Sequence, residues 1–234
     1  MSIKIKFQDL KSADYKKAWQ YQEKLFEEIL REKTAGLSVR DDNDPIAGYL
    51  LFCEHPHVYT LGKSGAENNL LINAGFLEKI SATYYRTNRG GDITYHGPGQ
   101  IVGYPIFDLE KINLGIRKYI FNLEEAVIMT LKDFGITSAR LGSASGVWLD
   151  PDDPVKSRKI CAIGVRASRH VTMHGFAFNV NTDLDYFTHI NPCGFKDKGV
   201  TSMEKELGEK QDYGRVKETL KENLSSVFMM ELLT

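Results

Sequence analysis

The sequence predicts a single α/β domain, and three observations support this. The chain has 234 residues, 42% of them hydrophobic, which is enough for one substantial core. Short alternating or β-branched runs bounded by glycine-rich turns predict strands, and longer stretches with apolar residues at helical spacing predict helices. We find no internal repeat and no low-complexity linker. Residues 1–234 are therefore expected to form one domain, with residues 205–234 as a helical carboxy-terminal extension.

The first half of the chain is predicted to contain a strand, a helix and a meander. Residues 3–7 alternate apolar side chains with lysine, which is typical of a strand with one buried face. Ser12 is the expected N-cap of an amphipathic helix whose apolar positions run from Tyr15 to Leu30. A largely antiparallel meander should follow, with strands over residues 49–53, 58–61, 83–86, 93–96 and 101–107.

The second half is predicted to alternate helices with strands. Ile120, Leu123, Val127 and Leu131 recur at helical spacing, so a helix is expected over residues 116–134, with Gly135 as its stop signal. A last helix should extend from residue 213 to about residue 232. Between these helices, strands are expected over residues 146–149, 159–165 and 170–180, interrupted by an acidic, proline-containing loop at residues 150–154.

Composition argues against several classes of function. The formal net charge is −1 and the basic residues are interspersed with acidic ones, which argues against a nucleic-acid partner. The first apolar run contains lysines and lacks the core of a signal peptide, and no segment approaches the ~18 apolar residues that span a bilayer. A cytoplasmic protein without membrane contact is expected. The three widely spaced cysteines, Cys53, Cys161 and Cys193, argue against a disulfide framework and are predicted to be free thiols.

The most informative stretch is the glycine-rich segment over residues 89–100. Dense glycine around reactive side chains is typical of backbone that approaches a ligand closely, although an ordinary glycine-rich hairpin has the same composition. Residues 97–100, Gly-Pro-Gly-Gln, fit a type II turn. Strand alternation should place Ile93 and Tyr95 on one face and Thr94 and His96 on the other, so that one face can be core and the other a pocket.

Several blocks resemble one known family closely and in its order. They are residues 54–62 (EHPHVYTLG), 89–100 (RGGDITYHGPGQ), 102–105 (VGYP), 146–148 (GVW), 159–166 (KICAIGVR), 172–180 (TMHGFAFNV) and 192–194 (PCG). Together they span residues 54 to about 202. On these residues the chain resembles the lipoyl(octanoyl) transferases, which are related to the catalytic domains of lipoate and biotin protein ligases. Ordered matches of this kind are far more specific than a lone glycine motif.

The resemblance implies an acyltransferase of protein lipoylation. Such an enzyme moves an octanoyl group from acyl carrier protein to a specific lysine on lipoyl domains of 2-oxoacid dehydrogenases and related carriers, and needs no cofactor or metal. The implied fold is an α/β domain with a mixed, mainly antiparallel sheet flanked by helices, and a monomer is expected. The family's acyl-thioester cysteine falls on Cys193 and its partner lysine on Lys159. The implied substrate-binding residues are Arg89, Gly90, Gly91, Asp92, Ile93, Thr94, Tyr95, His96, Ala162, Ile163, Gly164, Gly175, Phe176 and Ala177.

The chemistry suits a cysteine–lysine pair. Attack of a thiolate on a thioester gives another thioester of similar energy, from which an amine can then take the acyl group to form an amide. An unperturbed thiol has a pKa of about 8.5, so a neighbouring ammonium such as that of Lys159 would raise its thiolate fraction. The same lysine could later accept a proton, provided that burial lowers its own pKa. Backbone N–H groups near Gly194 or in the Gly90–Gly91 turn are candidates to stabilise the oxyanion.

Each of these residues also has a purely structural interpretation. Cys193 could be a small buried hydrophobe, Lys159 a solvated charge at a strand edge, and Arg89 a solvated surface residue. His96 is assigned to binding, without a catalytic role. His55 and His57 flank Pro56, but no carboxylate or cysteine lies at ligand spacing beyond Glu54 and Cys53, so no metal is expected.

Two departures from the family pattern concern the pocket. Asn88 replaces the usual Asp, and Cys161 replaces the usual Ala, which leaves open whether Cys161 is a second reactive thiol. Three other functions remain: an ATP-dependent lipoate or biotin ligase, a non-catalytic module that binds a carrier protein, and, more weakly, a cysteine hydrolase.

Overall fold

The computed structural model describes residues 3–35, 46–142, 144–191 and 199–233. Its strands are β1 (Ile3–Ser12), β2 (Ile46–Glu54), β3 (Val58–Leu61), β4 (Thr83–Arg86), β5 (Ile93–His96), β6 (Gln100–Phe107), β7 (Ala139–Leu141), β8 (Ala144–Leu149), β9 (Arg158–Ser168), β10 (Val171–Asn179), β11 (Gly199–Val200) and β12 (Met230–Leu233). Its helices are α1 (Tyr15–Thr34), α2 (Ala74–Lys79), α3 (Ile116–Asp133), α4 (Met203–Leu207) and α5 (Tyr213–Phe228). Two 3₁₀ turns cover Glu67–Asn69 and Leu184–His189.

Most of the strands form one mixed sheet. Its order is β12-β1-β2-β6-β10-β9-β8-β7, and β11 also pairs with β9. The pairs β12–β1, β1–β2 and β11–β9 are parallel, and the remaining pairs of this sheet are antiparallel. The expectation of a mixed, mainly antiparallel sheet flanked by helices is therefore confirmed.

Helices cover both faces of this sheet. On one face, Ala18, Leu25, Phe26 and Ile29 of α1 pack against β6 and β10. On the other face, the apolar stripes of α3 and α5 pack against each other and the sheet, in a core that includes the fully buried Leu123 and Leu220. The sheet is thus shielded from water on both sides, and its central strands β6 and β10 are buried along their whole length. No helix in the described part of the chain is long and apolar enough to cross a membrane.

The predicted meander is wrong at β3. The strand β2 pairs with β6, whereas β3 leaves the large sheet and forms a second sheet of order β4-β3-β5, in which β3 and β4 are parallel. The physical reason is a separate apolar core. Tyr59, Leu61, Ile93 and Tyr95 pack there with Ile190, a residue far away in sequence, and no local pattern can predict that contact.

Two helix boundaries also differ from the predictions. The helix α1 is capped by Asp14, whose carboxylate accepts the Lys17 N–H at 3.0 Å, because Ser12 still belongs to β1. The last helix ends at Phe228 and not near residue 232. Met229 adopts a left-handed conformation with φ +51° that breaks the helix, and the following residues pair with β1 as β12. The carboxy-terminal segment is therefore not only helical, since it also supplies an edge strand of the main sheet.

Candidate active site

A cavity of about 820 Å³ is lined by residues of both sheets and of the second 3₁₀ turn. It contains every predicted substrate-binding residue except Tyr95, together with the predicted catalytic residue Lys159. The residues on this list are Arg89, Gly90, Gly91, Asp92, Ile93, Thr94, His96, Lys159, Ala162, Ile163, Gly164, Gly175, Phe176 and Ala177. Segments 70 residues apart in sequence therefore meet at one pocket.

The alternation along β5 separates pocket from core as predicted from Thr94 to His96, whereas Ile93 packs in the second core and also lines the cavity. Thr94 and His96 line the cavity, whereas Tyr95 points into the small second core. The Tyr95 hydroxyl lies 2.7 Å from His57 Nδ1, and its ring stacks on Tyr186 of the second 3₁₀ turn at 4.9 Å between centroids. Tyr95 thus supports the wall that carries the pocket residues.

The predicted turn after β5 is present. Gly99 has φ +79°, as the third position of a type II turn requires, and the Gln100 N–H donates to the Gly97 carbonyl at 3.2 Å. This turn reverses the chain directly into β6 and holds His96 at the end of its strand.

Arg89 is buried in the wall and not solvated. Its Nη2 donates to the Thr60 carbonyl at 2.5 Å and its Nε to Thr60 Oγ1 at 3.2 Å, while Nη1 donates to the Gly90 carbonyl at 3.0 Å. A planar guanidinium is the only side chain that can serve these acceptors together. Arg89 therefore ties β3 to the glycine-rich segment, a role consistent with shaping the pocket.

Glycine allows the walls to approach each other. A Cβ on Gly164 would lie 2.9 Å from the Gly90 carbonyl oxygen, and one on Gly175 would lie 2.1 Å from the Gly103 oxygen. The Gly90 N–H also donates to the Val165 carbonyl at 3.0 Å, which joins the glycine-rich segment to β9. That N–H is already engaged, which weakens the expectation that Gly90 contributes to an oxyanion hole.

A hydrogen-bonded chain of side chains fixes His96. Gln100 Nε2 donates to Asn179 Oδ1 at 2.8 Å, so Gln100 Oε1 is the acceptor for His96 Nδ1 at 2.8 Å. Asn179 Nδ2 in turn donates to the Thr201 carbonyl at 3.0 Å. Burial lowers the pKa of His96 to about 3, so its ring is neutral near pH 7, with Nδ1 protonated. This suits a binding or orienting role and not that of a cation.

His174 is a second buried imidazole of the cavity wall. It has φ +58° in the middle of β10, a conformation that non-glycine residues seldom adopt, and its Nε2 lies 2.6 Å from Asn88 Oδ1. Burial lowers the pKa of His174 to about 3. Asn88, the departure from the family pattern, is thus a neutral acceptor for a neutral imidazole.

Lys159 enters the cavity from β9. Its Nζ lies 4.6 Å from the centre of the Trp148 ring, and burial lowers its pKa from the ordinary value for lysine. The solvated-charge interpretation of Lys159 is therefore not supported. Cys161, two residues further along the strand, is fully buried, and burial raises its pKa well above that of a free thiol. A buried, protonated thiol is a poor nucleophile.

Cys193 lies outside the described residues, with Pro192 and Gly194. The chain on both sides of it is described, however. The Asn191 N–H donates to the Asn69 carbonyl at 2.8 Å, and the Gly199 N–H donates to the Ser157 carbonyl at 3.0 Å. Both Asn191 and Gly199 line the cavity.

His55 and His57, the weak metal candidates, are engaged with protein groups. His55 Nδ1 lies 2.6 Å from the Ala13 carbonyl and its Nε2 lies 2.7 Å from the Tyr104 hydroxyl, while the His57 ring stacks on Tyr186 at 4.1 Å. Within the described ranges, no group of three or more His, Cys, Asp or Glu residues could hold a metal ion.

Further side chains line the cavity that were not among the predicted site residues, including Gln100, Asn179 and Trp148. The sequence contained an indication that each of these three residues belongs to the site. Gln100 ends the glycine-rich motif, Asn179 follows Gly175 and Ala177 on the same face of β10, and Trp148 lies in one of the family-like blocks.

Comparison with protein families gives one clear match. The model of the lipoyl protein ligase A/B catalytic domain matches residues 14–225. Among similar curated proteins, an octanoyltransferase of Flavobacterium johnsoniae is 54% identical over 235 residues, covering 100% of both chains. An octanoyltransferase of Cytophaga hutchinsonii is 51% identical over 226 residues, covering 96% of this chain and 93% of that protein.

Solved structures share the fold at low sequence identity. A bi-partite lipoate protein ligase of Thermoplasma acidophilum superposes with a TM-score of 0.70 at 15% identity, covering 99% of this chain and 86% of that one. A lipoate-protein ligase A bound with ATP gives 0.68 at 15% identity, covering 100% and 88%. A biotin protein ligase of Aquifex aeolicus gives 0.53 at 13% identity, covering 95% and 70%. The expected likeness to ligase catalytic domains is confirmed at the level of the fold.

Proposed function

The chain belongs to the lipoyl protein ligase A/B catalytic domain family, and we propose that it transfers an octanoyl group from octanoyl-acyl carrier protein to a lysine of lipoyl domains through a thioester on Cys193. It is an acyltransferase, like the octanoyltransferases that match its full length. The acceptors would be the lipoyl domains of 2-oxoacid dehydrogenases and related carriers. The observation that carries the proposal is the position of Lys159 relative to the chain that flanks Cys193.

Lys159 and both flanks of Cys193 meet at one cavity. Val200 is the register partner of Lys159 in the parallel β11–β9 pair, and the Thr201 N–H donates to the Lys159 carbonyl at 2.9 Å. Cys193 is only two residues beyond Asn191 in the sequence. This supports a thiol and an amine that share the cavity, as the mechanism needs.

The two steps follow from the chemistry of these groups. The Cys193 thiolate, stabilised by the Lys159 ammonium, would attack the donor carbonyl carbon. The donor sulfur would leave as a thiolate and take its proton from the Lys159 ammonium, which becomes the neutral amine. The amine of the acceptor lysine would then attack the new thioester. The Cys193 sulfur would leave, and the proton of the attacking amine would pass to the neutral Lys159 amine. Burial lowers the pKa of Lys159 from the ordinary value for lysine, which makes its neutral amine form easier to reach.

The proposal is tested by intact-mass analysis after incubation with octanoyl-acyl carrier protein. We expect a mass increase of one octanoyl group that hydroxylamine removes and that is lost in Cys193→Ala. Cys161→Ala is the matched control, because its buried thiol should not react, and this variant should still be acylated. Acylation that survives in Cys193→Ala would overturn the thioester on Cys193.

The ATP-dependent ligase remains the alternative. Its support is the fold, which this chain shares with a lipoate-protein ligase bound with ATP. A thioester donor already carries the activation that a ligase obtains from ATP. We therefore expect octanoyl transfer to a lipoyl domain without nucleotide. Product formed only when ATP and free octanoate are supplied would favour the ligase, and binding of the carrier protein without transfer would favour a docking module.

We also propose that the protein is a monomer and that it is located in the cytoplasm. The monomeric state is tested by light scattering of the purified protein at increasing concentration, where a constant mass near 26.5 kDa is expected. A cytoplasmic location is tested by fractionation of cells that express the full chain.

A further inference from the structure

Trp148 and Lys159 face each other across two neighbouring strands at the cavity wall. They are register partners in the β8–β9 pair, and Lys159 Nζ lies 4.6 Å from the centre of the indole ring. Trp148 is only 1% exposed, and both side chains line the cavity. The face of an indole attracts a cation, and this attraction is strongest where water is excluded. The Lys159–Trp148 contact is therefore a cation–π interaction as well as packing between neighbouring strands.

A bulge in β8 leaves space for the Lys159 side chain. The register shifts between Val147 and Trp148, and Gly146 adopts φ +116°, which other residues rarely do. A Cβ on Gly146 would lie 2.5 Å from the Cys161 carbonyl oxygen and 3.5 Å from Lys159 Cε. Only glycine therefore lets β8 approach β9 so closely beside the Lys159 stem.

A buried carboxylate from α3 holds this bulge. Glu124 Oε1 accepts the Gly146 N–H at 2.9 Å, and Glu124 Oε2 accepts Arg140 Nε at 3.0 Å. Glu124 is buried, and the Arg140 guanidinium lies 3.6 Å from the centre of the Phe121 ring. The Glu124 carboxylate is thus held by two donors. Its hydrogen bond to the Gly146 N–H fixes the position of β8 relative to α3.

We propose that Trp148 is a positioning residue that acts through Lys159: its indole face holds Nζ at the cavity wall and favours the ammonium form that the thiolate of the acyl-transfer step requires. The proposal rests on the role of Lys159 in the proposed function. The indole ring gives a partly buried lysine a contact that favours its ammonium form. Burial favours the amine, and the ring opposes this effect.

Other titratable groups also lie near Lys159 in the described part of the chain. Cys161 lies on the same face of β9, Glu124 reaches β8 from α3, and Lys205 of α4 lines the same cavity. These groups stay unchanged when only the electron density of the indole ring is altered. A test that changes the ring without changing its shape therefore isolates the contribution of Trp148.

The chain has two tryptophans, Trp19 and Trp148, so a Trp19→Phe background leaves Trp148 as the single site for biosynthetic incorporation of fluorinated tryptophan. Successive fluorine atoms weaken the attraction of the ring for a cation while its shape is nearly kept. The ¹⁹F signal of Trp148 should titrate with Lys159. We expect its midpoint to fall by about one pH unit across the series. The pH profile of octanoyl transfer should shift in the same direction.

Lys159→Met is the control, and it should abolish the ¹⁹F titration. A midpoint that does not change with fluorination, or a titration that persists in Lys159→Met, would overturn the role of Trp148. Failure of the proposed function looks different: octanoyl transfer would then be unaffected in Lys159→Met, whatever the ¹⁹F signal does. A merely structural role for Trp148 would change stability but not the titration midpoint.

Discussion

At the scale of single residues, the pocket is built mainly by side chains that are held in place by their neighbours. Arg89 is saturated by the Thr60 and Gly90 acceptors, and His96 is fixed through Gln100 and Asn179. Because these polar groups satisfy one another, they can be buried without the cost of unpaired donors. The reactive groups then meet a rigid wall.

In the proposed mechanism, Lys159 stabilises the thiolate as an ammonium and accepts a proton as an amine. Different substitutions should remove these two roles separately. Lys159→Arg keeps a cation beside the thiol but cannot accept a proton near neutral pH. We expect this variant to form the Cys193 thioester and to pass the acyl group on slowly. Lys159→Met should be slow in both steps. Rapid-quench mass analysis of each step measures this, and equal rates in both variants and the unmodified protein would remove Lys159 from the mechanism.

Removal of the Lys159 ammonium should change the ionisation of the Cys193 thiol. In Lys159→Met, the pKa of Cys193 should rise toward or above the ordinary thiol value of about 8.5. Alkylation by iodoacetamide as a function of pH, followed by peptide mass analysis at Cys193, checks this.

Gly103 controls the position of one cavity wall. A Cβ at Gly103 would lie 2.1 Å from Phe176 Cζ, so Gly103→Ala must displace the Phe176 ring, which lines the cavity. Overpacking of this kind costs about 1–3 kcal/mol of unfolding free energy. We expect a changed acyl-chain preference, measured as the ratio of octanoyl to hexanoyl transfer. Gly115→Ala is the control, because nothing lies within 4 Å of its Cβ; an unchanged ratio in Gly103→Ala would contradict the prediction.

At the scale of elements, the site depends on where strands end and turn. β5 delivers His96 to the cavity because the Gly97–Gln100 turn follows it immediately, and β11 runs beside Lys159 because it adds to β9 in parallel. At the opposite end of the main sheet, β12 pairs with β1. β1 is therefore paired on both sides, and β12 is the edge strand.

Two neighbouring methionines test the end of the last helix. Met230 is 5% exposed and belongs to the main core, whereas Met229 is 78% exposed. Met230→Ala should lower the unfolding free energy by about 2–5 kcal/mol because it leaves a cavity in the core. Met229→Ala should change it by less than about 0.5 kcal/mol. Urea denaturation measures both, and similar losses in the two variants would contradict a strand at residues 230–233.

At the scale of the whole molecule, three buried imidazoles link folding to pH. Burial lowers the pKa of His55 to about 4 and those of His96 and His174 to about 3. In the unfolded chain each imidazole should titrate near its ordinary value of about 6.5. Below that pH the unfolded state binds more protons than the folded state, so acid should favour unfolding.

The stability of the protein should therefore fall as the pH is lowered from 7 to 5. Each buried histidine should contribute a loss of about 2 kcal/mol between pH 6.5 and pH 5. Urea denaturation at a series of pH values measures the slope. His55→Asn should reduce the slope. A slope that is the same in the unmodified protein and in His55→Asn would show that His55 does not supply the linkage.

Local patterns in the chain were sufficient for most of the elements. The bounds of β3, β4 and β5 follow from short alternating runs between turns, and the Gly97–Gln100 turn follows from the conformations that proline and glycine prefer. Gln100, Asn179 and Trp148 also line the cavity and were not predicted, whereas the predicted substrate-binding residues all line it apart from Tyr95. Strand period assigned that residue to the opposite face from His96, and the structure places it there.

Contacts between segments that are distant in sequence could not be predicted and were found only in the structure. The second sheet forms because Ile190 packs with residues of β3 and β5, and β12 forms because β1 offers a free edge; neither partner is near in sequence. The burial of Lys159 against Trp148 likewise depends on a bulge that Glu124 holds from another layer. Sequence periodicity reports which side of an element avoids water, but the free energy that selects its partner arises only when the layers pack together.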